Sequence, residues 1–302
     1  MTRRSRRVLL AAWCAVAAVS ATSGADTEPA IRVVRDIPYA GAPAEPGRTL
    51  DLYLPEQDAG DREPRPVVLF VHGGAWRKGD KSMVGDKPAA FVGQGYAFAS
   101  ANYRLADTVS PREQGQDVAE AVAWLHEHGE EHGCDPNRIF LMGHSAGAHL
   151  VALVSTDETL LKGCALDLTA VAGTILLDGA GYDVPRQLEI ARLPAMREMY
   201  VRVFGDAAAQ RLASPIEHVA AGKSIPPFLL FHVAHRADSR EQAEALAAKL
   251  RAAGAPAEVV HAADKNHLTL NRELGAAGDE PTKKILAWLR EASADERKGG
   301  RR

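Results

Sequence analysis

The sequence predicts an α/β fold with a doubly wound, mostly parallel sheet, and three observations predict it. Val67-Val68-Leu69-Phe70-Val71 is a continuous apolar run between Pro66 and Gly73, the pattern of a strand buried on both faces. Runs of the same kind return at residues 96–101, 139–142, 171–177, 228–233 and 258–261. Between them lie segments with the periodicity of helices, at residues 113–131, 146–155, 239–253 and 281–291. Strand and helix therefore alternate from Val67 onward, which places helices on both faces and functional residues beyond the carboxyl ends of the strands.

Residues 32–39 and 49–54 mix β-branched or aromatic with polar side chains and are separated by Gly41, Pro43, Pro46 and Gly47, so they read as a hairpin. One long interruption, about residues 179–227, separates two expected strands and includes a helical stretch at 194–204; it reads as a small cap over the site.

The chain opens as a targeting segment. Arg3, Arg4, Arg6 and Arg7 precede an apolar run at residues 8–19, and small residues lead to Ser23-Gly24-Ala25. Cleavage after Ala25 leaves residues 26–302 as one domain. The apolar run is shorter than the roughly 20 residues that span a bilayer, so no stable membrane anchor is expected. The expected location is outside the cytoplasm, periplasmic or extracellular. Ser5-Arg6-Arg7-Val8-Leu9-Leu10 resembles a twin-arginine export signal, and the route stays open between that and the general secretory one.

Charge excludes some partners. Lys+Arg 36 against Asp+Glu 39 gives a net charge of -3, so no basic surface is offered to nucleic acid or anionic lipid. A small molecule is the expected partner, and nothing in the pattern specifies an oligomeric state. Cys14 falls in the targeting segment. Cys134 and Cys164 precede strands and should share the edge opposite the site, where an oxidising compartment leaves a disulfide open.

Gly143-His144-Ser145-Ala146-Gly147 directly follows the apolar run 139–142 and opens a helix. A sharp strand-to-helix turn needs flanking glycines and presents the serine hydroxyl at the helix start, so Ser145 is the candidate nucleophile. Attack on a carbonyl makes an oxyanion, which needs preorganised N–H donors. His72-Gly73-Gly74-Ala75-Trp76 follows the strand 67–71, and the amides of Gly74 and Ala75, with that of Ala146, are the candidate donors.

Eleven histidines are available for the base. His267 is favoured because it follows the last strand. His72 belongs to the oxyanion loop, His144 is turned away from the nucleophile, and His149 packs inside the following helix. His128 and His132 have the i, i+4 spacing of metal ligands, but Glu130 and its neighbours make a solvated helix end the better reading than a zinc site. The acid is assigned to Asp238, which follows the strand 228–233 in the chain order Ser, Asp, His; Asp178, at the end of the preceding strand, is the rival.

With these residues placed, the chain from about 67 to 289 resembles the α/β-hydrolase superfamily, within it the esterase branch whose oxyanion loop begins His-Gly-Gly. His72-Gly73-Gly74-Ala75-Trp76, Asn102-Tyr103-Arg104-Leu105 and Gly143-His144-Ser145-Ala146-Gly147-Ala148-His149-Leu150 are similar to kynurenine formamidases and feruloyl-esterase-like enzymes. The resemblance implies an acyl-enzyme on Ser145 with His267 and Asp238, no metal and no organic cofactor. Hydrolysis of carboxylic esters of small or aromatic acids is the first expectation. Formamide hydrolysis is the alternative, and a catalytically silent binding protein of the same fold is a third reading.

Overall fold

A computed structural model describes residues 30–41, 45, 47–56 and 63–299, the side chains of 294–299 excepted; the expected targeting segment, residues 1–25, lies outside the described residues. Eight strands form one sheet in the order β1-β2-β4-β3-β5-β6-β7-β8. They are β1 (Ile31–Pro38), β2 (Thr49–Pro55), β3 (Arg65–Val71), β4 (Ala97–Ala101), β5 (Cys134–His144), β6 (Gly173–Leu177), β7 (Phe228–Val233) and β8 (Ala257–Ala262). The expected hairpin is β1 with β2, and β2 also pairs antiparallel with β4, while every pair from β4 to β8 is parallel.

The helices are α1 (Lys87–Val92), α2 (Pro111–His128), α3 (Ala146–Val154), α4 (Glu158–Lys162), α5 (Val184–Ile190), α6 (Pro194–Phe204), α7 (Ala207–Leu212), α8 (Pro215–His218), α9 (Ala237–Ala252), α10 (His267–Arg272) and α11 (Glu280–Gly299). Alternation along β3 explains why its sequence is apolar throughout. Val67, Leu69 and Val71 join one core cluster with Val122 of α2, Val151 of α3 and Leu246 of α9. Val68 and Phe70 join the opposite cluster with Phe91 of α1 and Leu289 of α11. Each such side chain contributes roughly 1.5–3 kcal/mol by leaving water, so both layers are needed to hold the sheet.

Helix α2 begins two residues before the periodicity does. Pro111 occupies its first turn, and Ser110 with Glu113 forms a reciprocal capping box that satisfies two otherwise unpaired amides. The parallel register aligns the strand exits: Val71 stands opposite Gly143, His144 opposite Leu177, and Leu177 opposite Phe231. The loops after β3, β5, β6 and β7 therefore leave the same edge, where the site is built. Cys134 and Cys164 are not joined by a disulfide: Cys134 is buried at the start of β5, and Cys164 Sγ accepts a hydrogen bond from Gln116 at 3.2 Å.

Candidate active site

Ser145 sits between β5 and α3 with φ 56° and ψ −118°, a strained conformation for a residue with a side chain and one that costs roughly 1–3 kcal/mol. The glycines around it are required by space. A Cβ at Gly143 would lie 2.3 Å from the Gly147 carbonyl oxygen, and one at Gly147 would lie 2.1 Å from that of Val71. The Ser145 amide donates to the Leu177 carbonyl at 3.0 Å, which ties the turn to the end of β6.

His267 is the first residue of α10. Asn266 caps that helix, its Oδ1 accepting from the amides of Leu268 and Thr269, so the ring is presented from a fixed start. His267 Nε2 lies 3.1 Å from Ser145 Oγ, and Nδ1 lies 2.6 Å from Asp178 Oδ2. The ionised carboxylate can only accept, so Nδ1 carries the proton and Nε2 is left free to take one from the hydroxyl.

The acid in contact with His267 is thus Asp178, not Asp238. Asp178 follows β6 directly, its side chain is fully buried, and its φ is 47°. Ser239 Oγ donates to Oδ1 at 2.5 Å, and Arg236 Nη1 donates to Oδ2 at 2.8 Å. Burial alone would raise the Asp178 carboxyl, but the hydrogen bonds from His267 and Ser239 and the Arg236 charge outweigh it and hold the group below the usual carboxylate range. Asp238 is partly exposed in the first turn of α9, with Oδ2 3.3 Å from Arg236 Nη2 and 3.2 Å from Gln187 Nε2. The turn after β7 is taken by Arg236, whose guanidinium contacts both His267 and Asp238 and so stands where a carboxylate at 238 would have to reach.

The loop after β3 has three consecutive positive φ values, 135° at Gly74, 54° at Ala75 and 62° at Trp76. Gly74 allows no side chain, since a Cβ there would lie 1.9 Å from the Lys78 carbonyl oxygen. The amides of Gly74, Ala75 and Ala146 have no hydrogen-bond partner among the described residues, and all three residues line one cavity of about 730 Å³ with Ser145 and His267. The segment between β6 and β7, which carries α5 to α8, contributes Ala180, Met196, Met199 and Tyr200 to the same cavity.

Five of the other histidines have structural partners. The His72 ring stacks on Tyr103 with centroids 4.5 Å apart, and Tyr103 Oη donates to the His72 carbonyl at 3.0 Å. His149 is fully buried; it accepts from Trp76 Nε1 at 3.2 Å and donates from Nε2 to the Ala213 carbonyl at 2.7 Å. Burial pushes His149 down to about 4, so it is neutral near pH 7. His144, beside the nucleophile, donates from Nε2 to the His267 carbonyl at 2.8 Å, and burial, with the nearby His267, pushes it down to about 3. His128 and His132 flank Trp124, and His128 lies 3.4 Å from Glu131. Arg236 and Ser239 carry no signal in the sequence beyond their place just after β7.

Residues 50–174 match the BD-FAE family model. An isoprenylcysteine alpha-carbonyl methylesterase of Arabidopsis thaliana is 29% identical over 252 residues, covering 79% of this chain and 57% of that one. Esterase LipQ of Mycobacterium tuberculosis is 31% identical over 239 residues, covering 73% of this chain and 53% of its own. The chain spans about half the length of the curated relatives it matches. Among solved structures, esterase B from Lactobacillus rhamnosis superimposes with a TM-score of 0.74 at 24% identity over 90% of both chains, a likeness of fold. With its parallel sheet, its serine on the turn after β5 and its matched segment, the chain has the α/β-hydrolase fold and is similar to esterases of that fold.

Proposed function

We propose that this protein hydrolyses carboxylic esters through an acyl-enzyme on Ser145. The observation that carries the reading is the continuous hydrogen-bonded run Asp178–His267–Ser145 ending in a cavity with three unpartnered amides. As Ser145 Oγ attacks the ester carbonyl, His267 Nε2 takes its proton, and the Gly74, Ala75 and Ala146 amides receive the developing oxyanion. Asp178 stays ionised and holds Nδ1–H toward itself while the imidazolium exists. His267 then returns the proton to the departing alcohol. Water, deprotonated by the same nitrogen, releases the acid and restores Ser145.

Small or aromatic acyl groups suit the cavity, whose lining includes Trp76, Met199 and Tyr200. The likeness to a methylesterase and to an esterase supports cleavage of an ester. Export after cleavage at Ala25 is part of the proposal and rests on Arg3 to Ala25.

A fluorophosphonate should label wild type and not Ser145→Ala. A panel of phenyl acetate, methyl ferulate, acetylated sugars and N-formylkynurenine then reads the substrate class. If kcat/KM for N-formylkynurenine exceeds that for both phenyl acetate and methyl ferulate, formamide hydrolysis replaces ester hydrolysis. Amino-terminal sequencing of protein recovered outside the cytoplasm should begin at Asp26, and an intact Met1 there overturns the cleavage.

A further inference from the structure

Among the described residues, Arg236 is the one guanidinium in contact with His267 and Asp178 together. Its Nη1 lies 2.8 Å from Asp178 Oδ2, 3.1 Å from the Asp178 main-chain carbonyl and 2.9 Å from His267 Nδ1. Both nitrogens carry hydrogens, so Arg236 and His267 do not bond each other; they are two donors converging on one carboxylate oxygen. The other guanidinium nitrogen, Nη2, faces Asp238 at 3.3 Å. Arg236 is mostly buried, and it lies in the wall between the nucleophile cavity and a neighbouring cavity lined by Asp238 and Gln187.

This geometry addresses two physical problems. Asp178 has a positive φ, a conformation a side-chain-bearing residue holds only when its surroundings impose it. Arg236 Nη1 grips both its carboxylate and its own carbonyl, so the residue is held at two points across the β6–β7 seam. The second problem is charge. With His267 neutral, Asp178, Asp238 and Arg236 leave one net negative charge; when His267 takes the Ser145 proton the group becomes neutral. Without Asp238 the same step would leave one net positive charge beside a newly formed imidazolium, which a low-dielectric site disfavours.

We propose that Arg236 is a positioning residue that clamps the Asp178 carboxylate for His267, with Asp238 as its counter-ion. The inference rests on the Ser145–His267–Asp178 reading above. It makes Asp238 part of the site through Arg236 rather than through contact with the base.

The test measures kcat and KM on p-nitrophenyl acetate for wild type, Arg236→Ala, Asp238→Asn, the double variant and Asp178→Asn, with thermal midpoints alongside. Arg236→Ala should lower kcat about a hundredfold, the scale of a misplaced catalytic group, with KM within about threefold. Methylguanidinium, able to enter from either cavity, should restore part of that loss. Asp238→Asn should cost less than about tenfold alone and nothing further in the Arg236→Ala background, because its effect travels through the missing guanidinium. Wild-type kcat in Arg236→Ala, a loss that methylguanidinium does not relieve, or an undiminished Asp238→Asn effect in the double variant overturns the clamp. Should Arg236→Ala fail to fold, Arg236→Lys is read instead, since it keeps the charge and loses the fork. A tenfold or greater fall in kcat at unchanged KM and midpoint then supports the clamp, and unchanged kcat refutes it. Near-wild-type activity in Asp178→Asn would overturn the triad reading itself, which separates the two failures.

Discussion

His144 Nε2 and the main-chain carbonyl of His267 are hydrogen-bonded at 2.8 Å, so the residue before Ser145 supports the backbone of His267. The His267 carbonyl can only accept, so the neutral His144 ring, its ionisation pushed down to about 3, carries its hydrogen on Nε2 and donates. His144→Phe keeps the ring volume and leaves the His267 carbonyl without that partner. Such a loss should cost roughly 1–3 kcal/mol in stability, with a lower kcat from the loosened start of α10. Urea unfolding with activity assays reads both, and unchanged stability in His144→Phe would deny the bond its importance.

Asp178→Asn should lower kcat by about 10⁴-fold, the scale seen when the acid of a serine hydrolase triad becomes an amide and the imidazole loses its correct tautomer. Asp238→Asn should cost less than about tenfold. The reverse order in folded, purified proteins would return the acid to the exit of β7.

Buried neutral histidines, His144 and His149 foremost, should set the acid limit of stability. His144 and His149 ionise at about 3 and about 4 in the folded chain, against an ordinary value near 6.5. Lowered values mean that the unfolded chain binds more protons, so stability is fully present above about pH 6.5 and falls as pH drops toward about 4. Asp178, also lowered, acts in a separate window: its contribution is present above the unfolded carboxylate value and is lost only at lower pH still. Calorimetry at pH 7, 6, 5 and 4 should show the midpoint declining over the whole range. A flat midpoint down to pH 4.5 would mean that these imidazoles are not neutral and buried.

Cys134 and Cys164 should titrate as two thiols in unreduced, denatured protein lacking the first 25 residues. In the native state Cys134 is shielded, and burial, helped by Glu120, pushes the Cys164 thiol up, so little reactive thiolate forms near pH 8. Slow native labelling by iodoacetamide followed by two equivalents on unfolding is the expected result. No thiol in the unfolded state would establish the disulfide.

The parallel core was legible because β3, β5, β6 and β7 are buried on both faces and their sequences say so without interruption. The short helices α5, α7, α8 and α10, four to seven residues each, were not, because they are too brief to show a period of 3.6. Ser145 and His267 could be chosen from sequence since a glycine-flanked elbow and a histidine after the last strand each have few competitors. The acid had two. Asp178 and Asp238 both lie between Ser145 and His267 in the chain and both follow a strand, and the deciding fact is three-dimensional: Arg236 fills the turn after β7. One local signal favoured Asp178, which ends its apolar run with no intervening residue, whereas four separate Val233 from Asp238.

Trp76 belongs to the loop that carries the proposed oxyanion donors, yet its ring meets Tyr200 and Phe204 of α6 edge-on at 5.6 and 4.8 Å and hydrogen-bonds His149 of α3. Grafting a foreign segment in place of residues 179–227 would therefore do more than reshape the entrance. The transplant would have to bring aromatic partners for that indole, or the amides of Gly74 and Ala75 would lose their alignment along with the old selectivity. Recombination in this chain is constrained at the junction between specificity and rate, and a library that varies the segment should co-vary positions 76, 200 and 204.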